Sequence, residues 1–296
     1  MTPIRTCVLV GRFDDRRVAE CATALVPELL AAGLTVLVVD DAAAAHAPSG
    51  ARVASRADIA ARAELIIAIG GDGTLLYAAR LVTARDVPLL GINRGRLGFL
   101  TDVLPQDMVT AVKAVLAGDC SVDHRPLLTA VLRAPDGGES QEYAFNDVVF
   151  NRLETGRMLD FETRIDGRYV NSHGGDGLVI ATATGSTAYA LSCGGPIVDP
   201  RLNVLVVAPI SPHTLSDRPI VLPGDSTIAI QLIGDNKLSA QVTCDATVLG
   251  ELHPGGHLEV RPAGRTVTLL HPPGYDYFRL LRSKLHWGLG GLTHER

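Results

Sequence analysis

Four apolar runs, "TCVLVG", "LTVLVVD", "ELIIAIGG" and "VPLLGIN", occupy the first 93 residues, and alanine-rich stretches separate most of them. This alternation constrains the fold more than any other feature of the chain. Near-continuous apolar strands joined by helices form a parallel sheet with helices on both faces. The helical stretches are "RRVAECATALVPELLAAG", closed by Gly33, then "ADIAARA" and "TLLYAARLVTA". A stretch rich in Ala, His, Pro and Ser before "ADIAARA" reads as a loop, and "PQDMVTAVKAVLAGD" adds one more helix ending at Gly118.

From about His124 the texture changes to short strands with Gly/Pro turns and no strand–helix alternation. In "FETRIDGRYVN", Asp166-Gly167 between two alternating runs is the strongest short hairpin signal. The fold expected is therefore α/β plus all-β. An N-terminal parallel-sheet α/β domain spans 1–123 and 274–296, and a β-rich second domain spans 124–273. The terminal "YFRLLRSKLHWG" is helical in pattern, too short to be a domain, and is expected to return to the first.

The 296 residues suffice for two domains, and 47% hydrophobic with 20% charged residues is the balance of a soluble globular protein. A net charge of −5 supplies no global basic field for nucleic acid or an anionic membrane. Cys7, Cys21, Cys120, Cys193 and Cys244 are odd in number and form no C-x-x-C pair. That argues against a disulfide framework and a zinc site, and fits a reducing cytoplasm. The early apolar runs are too short for a signal peptide or are broken by Pro27, Glu28 and Gly33. The expectation is a cytoplasmic protein with neither nucleic acid nor membrane as partner.

In "AIGGDGTLLYAAR", Asp72 lies between glycines where a strand hands over to a helix starting near Thr74. Open α/β sheets place ligands at this end of their strands, and the free N–H groups of a helix start suit phosphate. Asp72 can accept a proton or hold a metal that holds phosphates; the plainer reading is a helix N-cap. The stretch matches neither the G-x-x-x-x-G-K-[ST] loop nor G-x-G-x-x-G. A second stretch, "HGGDGLVIATATGSTAYALSCGGPIV", repeats G-G-D-G and adds Thr182, Thr184, Ser186, Thr187 and Ser192. Such residues offer donors to a polar ligand, with Tyr189 to stack or hydrogen-bond; the alternative is a turn array that caps its own backbone. In "FNDVVFNR", Asn146 and Asp147 are adjacent within an apolar strand, so they face opposite ways and are costly to bury without a ligand or partner.

In order and spacing, "GGDGTLL", "GINRGRLGFL", "FNDVVF", "GDGLVIATATGSTAYALSCGGPIV", "APISPHTLSDRPIV" and "YFRLLRSKLHWG" closely resemble the NAD kinase family from about residue 65 onward. The resemblance implies transfer of the γ-phosphoryl group of ATP to the 2′-hydroxyl of the adenosine ribose of NAD, giving NADP and ADP. It implies Mg²⁺ brought with ATP, no metal site of the protein's own, and a homodimer or homotetramer. It makes Asp72 the proton acceptor, with Asp72 and Gly73 in the NAD-binding set. Asn146 and Asp147 match an adenosine- and ribose-contacting pair. Asp176 and the segment Thr187, Ala188, Tyr189, Ala190, Leu191 and Ser192 match the NAD-binding loop.

Four departures stand out against the family pattern, one of them Ala183 in place of a frequent proline. Asp147 replaces Glu, and "CDATV" replaces a Cys-Asp-Gly-Gln type of sequence, which bears on Thr247. Gly174-Gly175 replaces Arg-Ser, so Gly174 joins the NAD-binding set without a guanidinium, and Arg157 or Arg168 is the candidate to compensate. Arg94 and Arg96 are candidates to neutralise ATP phosphates, and His173 to face either the nicotinamide or solvent.

Overall fold

The computed structural model describes residues 4–41, 44–83, 85–95, 97–154, 157–214, 216–234 and 238–287. The chain divides into two compact units, Met1–His124 with Val267–Arg296, and Arg125–Thr266.

In the first unit the strands β1 (Thr6–Gly11), β2 (Thr35–Val39), β3 (Arg52–Ala54), β4 (Leu65–Gly70) and β5 (Leu89–Asn93) pair in parallel in the order β3-β2-β1-β4-β5. Val8 lies opposite both Leu37 and Ile66, and every residue of β4 is buried, as a sheet covered on both faces requires. The helices are α1 (Arg16–Ala31), α2 (Arg56–Arg62), α3 (Asp72–Leu81) and α4 (Met108–Leu116). Helix α1 buries Val18, Cys21, Ala22, Leu25, Val26 and Leu29, one stripe at helical spacing, against Leu9, Val36 and Ile67. Asp15 starts it by accepting the N–H of Arg17 at 2.9 Å, and Ser55 does the same for α2 through Asp58 at 3.1 Å. Strand β3 falls in the stretch read as a loop. It is a three-residue edge strand with mostly exposed side chains, so no apolar period marks it.

The second unit is built on antiparallel strands. Its elements run β6 (Ser121–Arg133), β7 (Glu139–Ala144), β8 (Asp147–Arg152), β9 (Leu159–Ile165), β10 (Arg168–Gly175), β11 (Gly177–Thr182), β12 (Val204–Ile210), β13 (Ile220–Pro223), β14 (Ile228–Leu232), β15 (Ala240–Cys244), β16 (Thr247–Leu252) and β17 (His257–His271). One sheet has the order β13-β12-β11-β8-β15-β16; in the other, β10-β9-β14-β17 is joined by β6 and β7. Their facing sides share a core that includes Phe150, Phe161, Ile180 and Ile228, with the two phenylalanine rings edge-on at 5.0 Å. The hairpin expected at Asp166-Gly167 joins β9 to β10, with φ of 51° and 77°, the two left-handed residues of a tight turn. Between β11 and β12 the strand pattern is interrupted by a 3₁₀ turn, Thr184–Thr187, and the short α5 (Tyr189–Ser192). The start of β6, up to His124, and the end of β17 belong to the first unit, where Leu269 pairs with Leu89, and α6 (Tyr277–Leu285) follows there, burying Leu280 and Leu281. The end of "KLHWG" lies outside the described residues. Among the described residues no helix is long and apolar enough to cross a membrane.

Candidate active site

Helix α3 begins at Asp72 itself, two residues before the expected start, and Gly71 is its N-cap. Asp72 is therefore not the cap, and its carboxylate turns to the segment after β5. Oδ1 accepts the N–H groups of Leu100 (2.9 Å) and Thr101 (3.1 Å) and the Thr101 hydroxyl (3.2 Å). Among the described residues Oδ2 accepts only the N–H of Phe99, at 2.9 Å. The segment reaches the carboxylate because residue 98 is glycine: a Cβ there would fall on Asp72 Oδ1 and Thr101 Oγ1. Asn93 holds the same hydroxyl from the other side, donating from Nδ2 at 3.0 Å. The carboxylate is thus fixed in orientation, and Oδ2 keeps acceptor capacity for one more proton donor.

Asp72 lines a cavity of about 480 Å³ together with Gly71, Asn93, Arg17, Arg94 and Lys284. Arg94 stands where the sequence placed a phosphate-neutralising charge, held by Asp15 at 3.0 Å, while Arg96 lies outside the described residues. Arg17 and Lys284 were not singled out from the sequence. They sit on α1 and α6, far from the glycine motif in the chain, and look like ordinary surface cations of amphipathic helices. One carboxylate among three cations suits a phosphate-bearing ligand beside a hydroxyl that must lose a proton.

In the second unit Asn146 lies in the bend just before β8 and is half-buried, whereas Asp147 opens the strand and is buried. The pair is therefore not two consecutive strand residues. Asp147 accepts the N–H of Tyr189 at the start of α5. Burial, and then the charge of Asp245, push its carboxyl up to about 7 despite that hydrogen bond. The sequence reading missed Asp245. Its carboxylate accepts the N–H groups of Phe145 and Asn146, each at 2.7 Å, and of Asp147 at 3.2 Å, so it forms the bend that presents the pair. Its only signal was an Asp in a strand-to-strand turn, one hundred residues from its partners.

A carboxyl raised on folding stabilises the fold while protonated, and the contribution disappears as pH rises through the folded value. The window opens at the unfolded value of about 3.9 and closes at about 7. Asp147→Asn should therefore gain in melting temperature relative to the unsubstituted chain across that window, and thermal melts of both without ligand check it. A constant difference would remove the titration from Asp147.

Asp245 and Ala246, the turn between β15 and β16, have φ of 47° and 64°. Alanine gains nothing there, and the family pattern puts glycine at this place. Ala246→Gly should stabilise the fold by about 1 kcal/mol, the left-handed penalty of a residue with a Cβ. Chemical denaturation measures it, and a loss of stability would show that the turn is unstrained.

The hydroxyl residues of the glycine-rich stretch turn out largely to cap their own backbone. Thr182 donates to the carbonyl of Phe145 at 2.8 Å and accepts from the N–H of Gly185 at 3.1 Å. Ser186 donates to Ala183 at 2.7 Å and accepts from Val198 at 3.0 Å. Thr184 accepts from Arg125 at 3.2 Å, and Thr187 donates to the carbonyl of Thr184 at 3.3 Å. These bonds build a rigid platform that leaves Tyr189 and Ser192 exposed, Ala188 and Leu191 half-buried, and Ala190 buried in the apolar cluster. Asp176 pairs with Arg152 at 2.7 Å. Gly174 has room for a side chain, meeting only Asp160 at 3.5 Å, and Arg157 is exposed. His173 faces neither solvent nor an open face: it is buried, stacked on Phe161 and held by Asp217 at 2.8 Å.

A carboxylate clamped at a glycine turn in a cavity with three cations, at the end of a parallel sheet, is an arrangement that suits phosphoryl transfer. Residues 7–120 match the family model described as the ATP-NAD kinase N-terminal domain, and 145–271 the ATP-NAD kinase C-terminal domain. The chain belongs to the ATP-NAD kinase family. It is 44% identical over 283 residues to the NAD kinase of Methylococcus capsulatus, covering 96% of this chain and 97% of the relative. It is 41% identical over 293 residues to that of Pseudomonas putida, covering 98% and 99%. Two solved structures share the fold. Yeast NADH kinase complexed with NADH has a TM-score of 0.91 at 22% identity, over 100% of this chain and 91% of that one. An Archaeoglobus fulgidus NAD kinase in complex with ATP has 0.74 at 24% identity, over 95% and 99%.

Proposed function

We propose that the chain is an NAD kinase that moves the γ-phosphoryl group of ATP to the 2′-hydroxyl of the adenosine ribose of NAD, producing NADP and ADP. The observation that carries the residue roles is the clamped Asp72, whose Oδ2 is the less engaged oxygen in a cavity with Arg17, Arg94 and Lys284. Asp72 accepts the proton of the 2′-hydroxyl as that oxygen attacks phosphorus. The three cations offset the charge of the triphosphate and of the transferring group. Phosphoryl transfer needs little else from a protein than position and charge. Asn146 and Asp147 hold the adenosine and its ribose hydroxyls. Gly73, Gly174, Asp176, Arg157 and the Thr187–Ser192 platform hold the rest of NAD, with Tyr189 lying along the nucleotide.

A divalent metal accompanies ATP, and Mg²⁺ is the ion proposed. Among the described residues no group of three or more His, Cys, Asp and Glu could hold a metal ion. A single carboxylate beside three cations fits a divalent metal that would arrive on the triphosphate, where it would add to the neutralisation of the charge on the transferring group. Arg17, Arg94 and Lys284 then keep the phosphates of that complex in place.

The test is to supply NAD, ATP and Mg²⁺ and assay NADP, and to repeat it with an NAD analogue lacking only the 2′-hydroxyl. The analogue should bind and not react. Phosphoryl transfer to it at a comparable rate would place the acceptor elsewhere. By its family the protein is expected to work as a homodimer or homotetramer in the cytoplasm, and sedimentation of the purified chain distinguishes two copies from four.

A further inference from the structure

The donors that hold Asp72 sit on a short segment, 98–101, that belongs to no helix or strand. The segment is closed as a turn by the N–H of Gly98 on the carbonyl of Thr101 at 2.8 Å. It returns to β5 at Val103, whose N–H donates to Gly91 at 3.2 Å and whose carbonyl accepts from Asn93 at 2.8 Å. Asp102 stands between the last donor to Asp72 and this anchor.

The Asp102 side chain is buried, and its Oδ2 accepts from Nδ1 of His271 at 2.7 Å. His271 is the last residue of β17, the strand that pairs with β5. Its ring is buried too, stacked on Tyr275 with centroids 3.7 Å apart. Nε2 faces Asp123 at 3.7 Å, too far for a hydrogen bond. Burial lowers the pKa of the ring, but the hydrogen bond to Asp102 and the charges of Asp102 and Asp123 outweigh it and leave it above the ordinary histidine value. Among the described residues Asp102 Oδ1, also buried, has no hydrogen-bond partner, so His271 provides the hydrogen bond that holds this side chain. A cavity of about 480 Å³, lined by Asp102 with Leu104, Ala111, Tyr275 and Leu280, gives the carboxylate somewhere to go when that bond is lost.

We infer that His271 is a positioning residue for phosphoryl transfer: through Asp102 it fixes the 98–101 segment, and that segment fixes the carboxylate of Asp72. The role of Asp72 comes from the kinase reading; the contacts from His271 to Asp72 stand apart from it. Without the tie, Asp102 turns toward the cavity, Leu100 and Thr101 shift, and Oδ2 is aimed less well at the hydroxyl it deprotonates. Substrate binding loses little, because neither His271 nor Asp102 lines the cavity that holds Asp72.

Two polar replacements in the full chain test it, since asparagine places its amide where Nδ1 stands and glutamine where Nε2 stands. His271→Gln should lower kcat about tenfold, part of the roughly hundredfold loss that a misplacement of about 1 Å causes. His271→Asn keeps a donor to Asp102 and should stay within about threefold of the unsubstituted chain. The KM values for NAD and ATP should move by less than about twofold in both. Deuterium exchange in a peptide spanning 97–104 should quicken in His271→Gln and not in His271→Asn. A kcat for His271→Gln at or above that of His271→Asn overturns the inference, as does a KM rise in place of the kcat loss. So does a kcat loss without faster exchange. Failure of either variant to fold, read by circular dichroism, would make His271 a requirement of the fold alone and overturns it as well. If the unsubstituted chain makes no NADP, the kinase reading fails instead; the exchange difference then still supports the tie, and its absence refutes it.

Discussion

Asp72→Asn is expected to lower kcat by roughly two to four orders of magnitude, the contribution of a general base, while the KM for NAD changes far less. The structure adds a second consequence. The carboxylate accepts four hydrogen bonds and donates none. An amide can serve Leu100 and Thr101 with its oxygen, and its NH₂ group then faces the N–H of Phe99. That donor–donor conflict should cost about 1 kcal/mol of stability, the low end of the penalty for an unsatisfied group, since Asp72 and Phe99 are half-buried. Kinetics and thermal unfolding must therefore be read together. A variant that melts somewhat lower and turns over normally would sink the proton-acceptor role and leave only the structural one.

Gly98→Ala should lower kcat by about a hundredfold, because a misplacement of about 1 Å at a reacting group is worth that much. The added Cβ would occupy the place of Asp72 Oδ1 and Thr101 Oγ1, so either the carboxylate rotates away or the 98–101 segment lifts off it. Both outcomes spoil the geometry at Oδ2. Gly138→Ala is the control for glycine replacement in general, since Gly138 is exposed, lies outside the site, and a Cβ there meets nothing closer than Asp136 Oδ1 at 3.3 Å. If Gly98→Ala keeps full turnover and a native circular dichroism spectrum, the clamp on Asp72 is not required for catalysis.

Most of the backbone elements were legible because their causes are local. Strand β1 occupies "TCVLVG" as read, the helix before Gly33 ends there with glycine at φ 82°, and Asp166-Gly167 makes its turn. What escaped was everything whose cause lies far along the chain or has no pattern. Strand β3 is short and exposed, Arg17 and Lys284 look like any helix cation, and Asp245 serves a bend a hundred residues earlier. The hydroxyls of the Thr182–Ser192 stretch were ambiguous in principle, since Ser and Thr bond to a ligand or to their own backbone with equal chemistry. Only the observed partners resolve it.

The two Gly-Gly-Asp-Gly stretches separate the local from the tertiary contribution. Sequence by itself determined that each breaks a regular element, because glycine and aspartate disfavour continuation in place. It determined as well that the first follows a buried parallel strand and precedes a helix. It did not determine what either aspartate does. At 70–73 the stretch is a strand–helix turn whose Asp72 reaches 27 to 29 residues ahead for its donors. At 174–177 it joins two β-strands, Asp176 pairs with Arg152, and Gly177 exists because a Cβ would strike the carbonyl of Phe150. The same four residues take two structures because backbone preference sets only where a chain may turn. Which groups meet at the turn is decided by packing between segments distant in sequence.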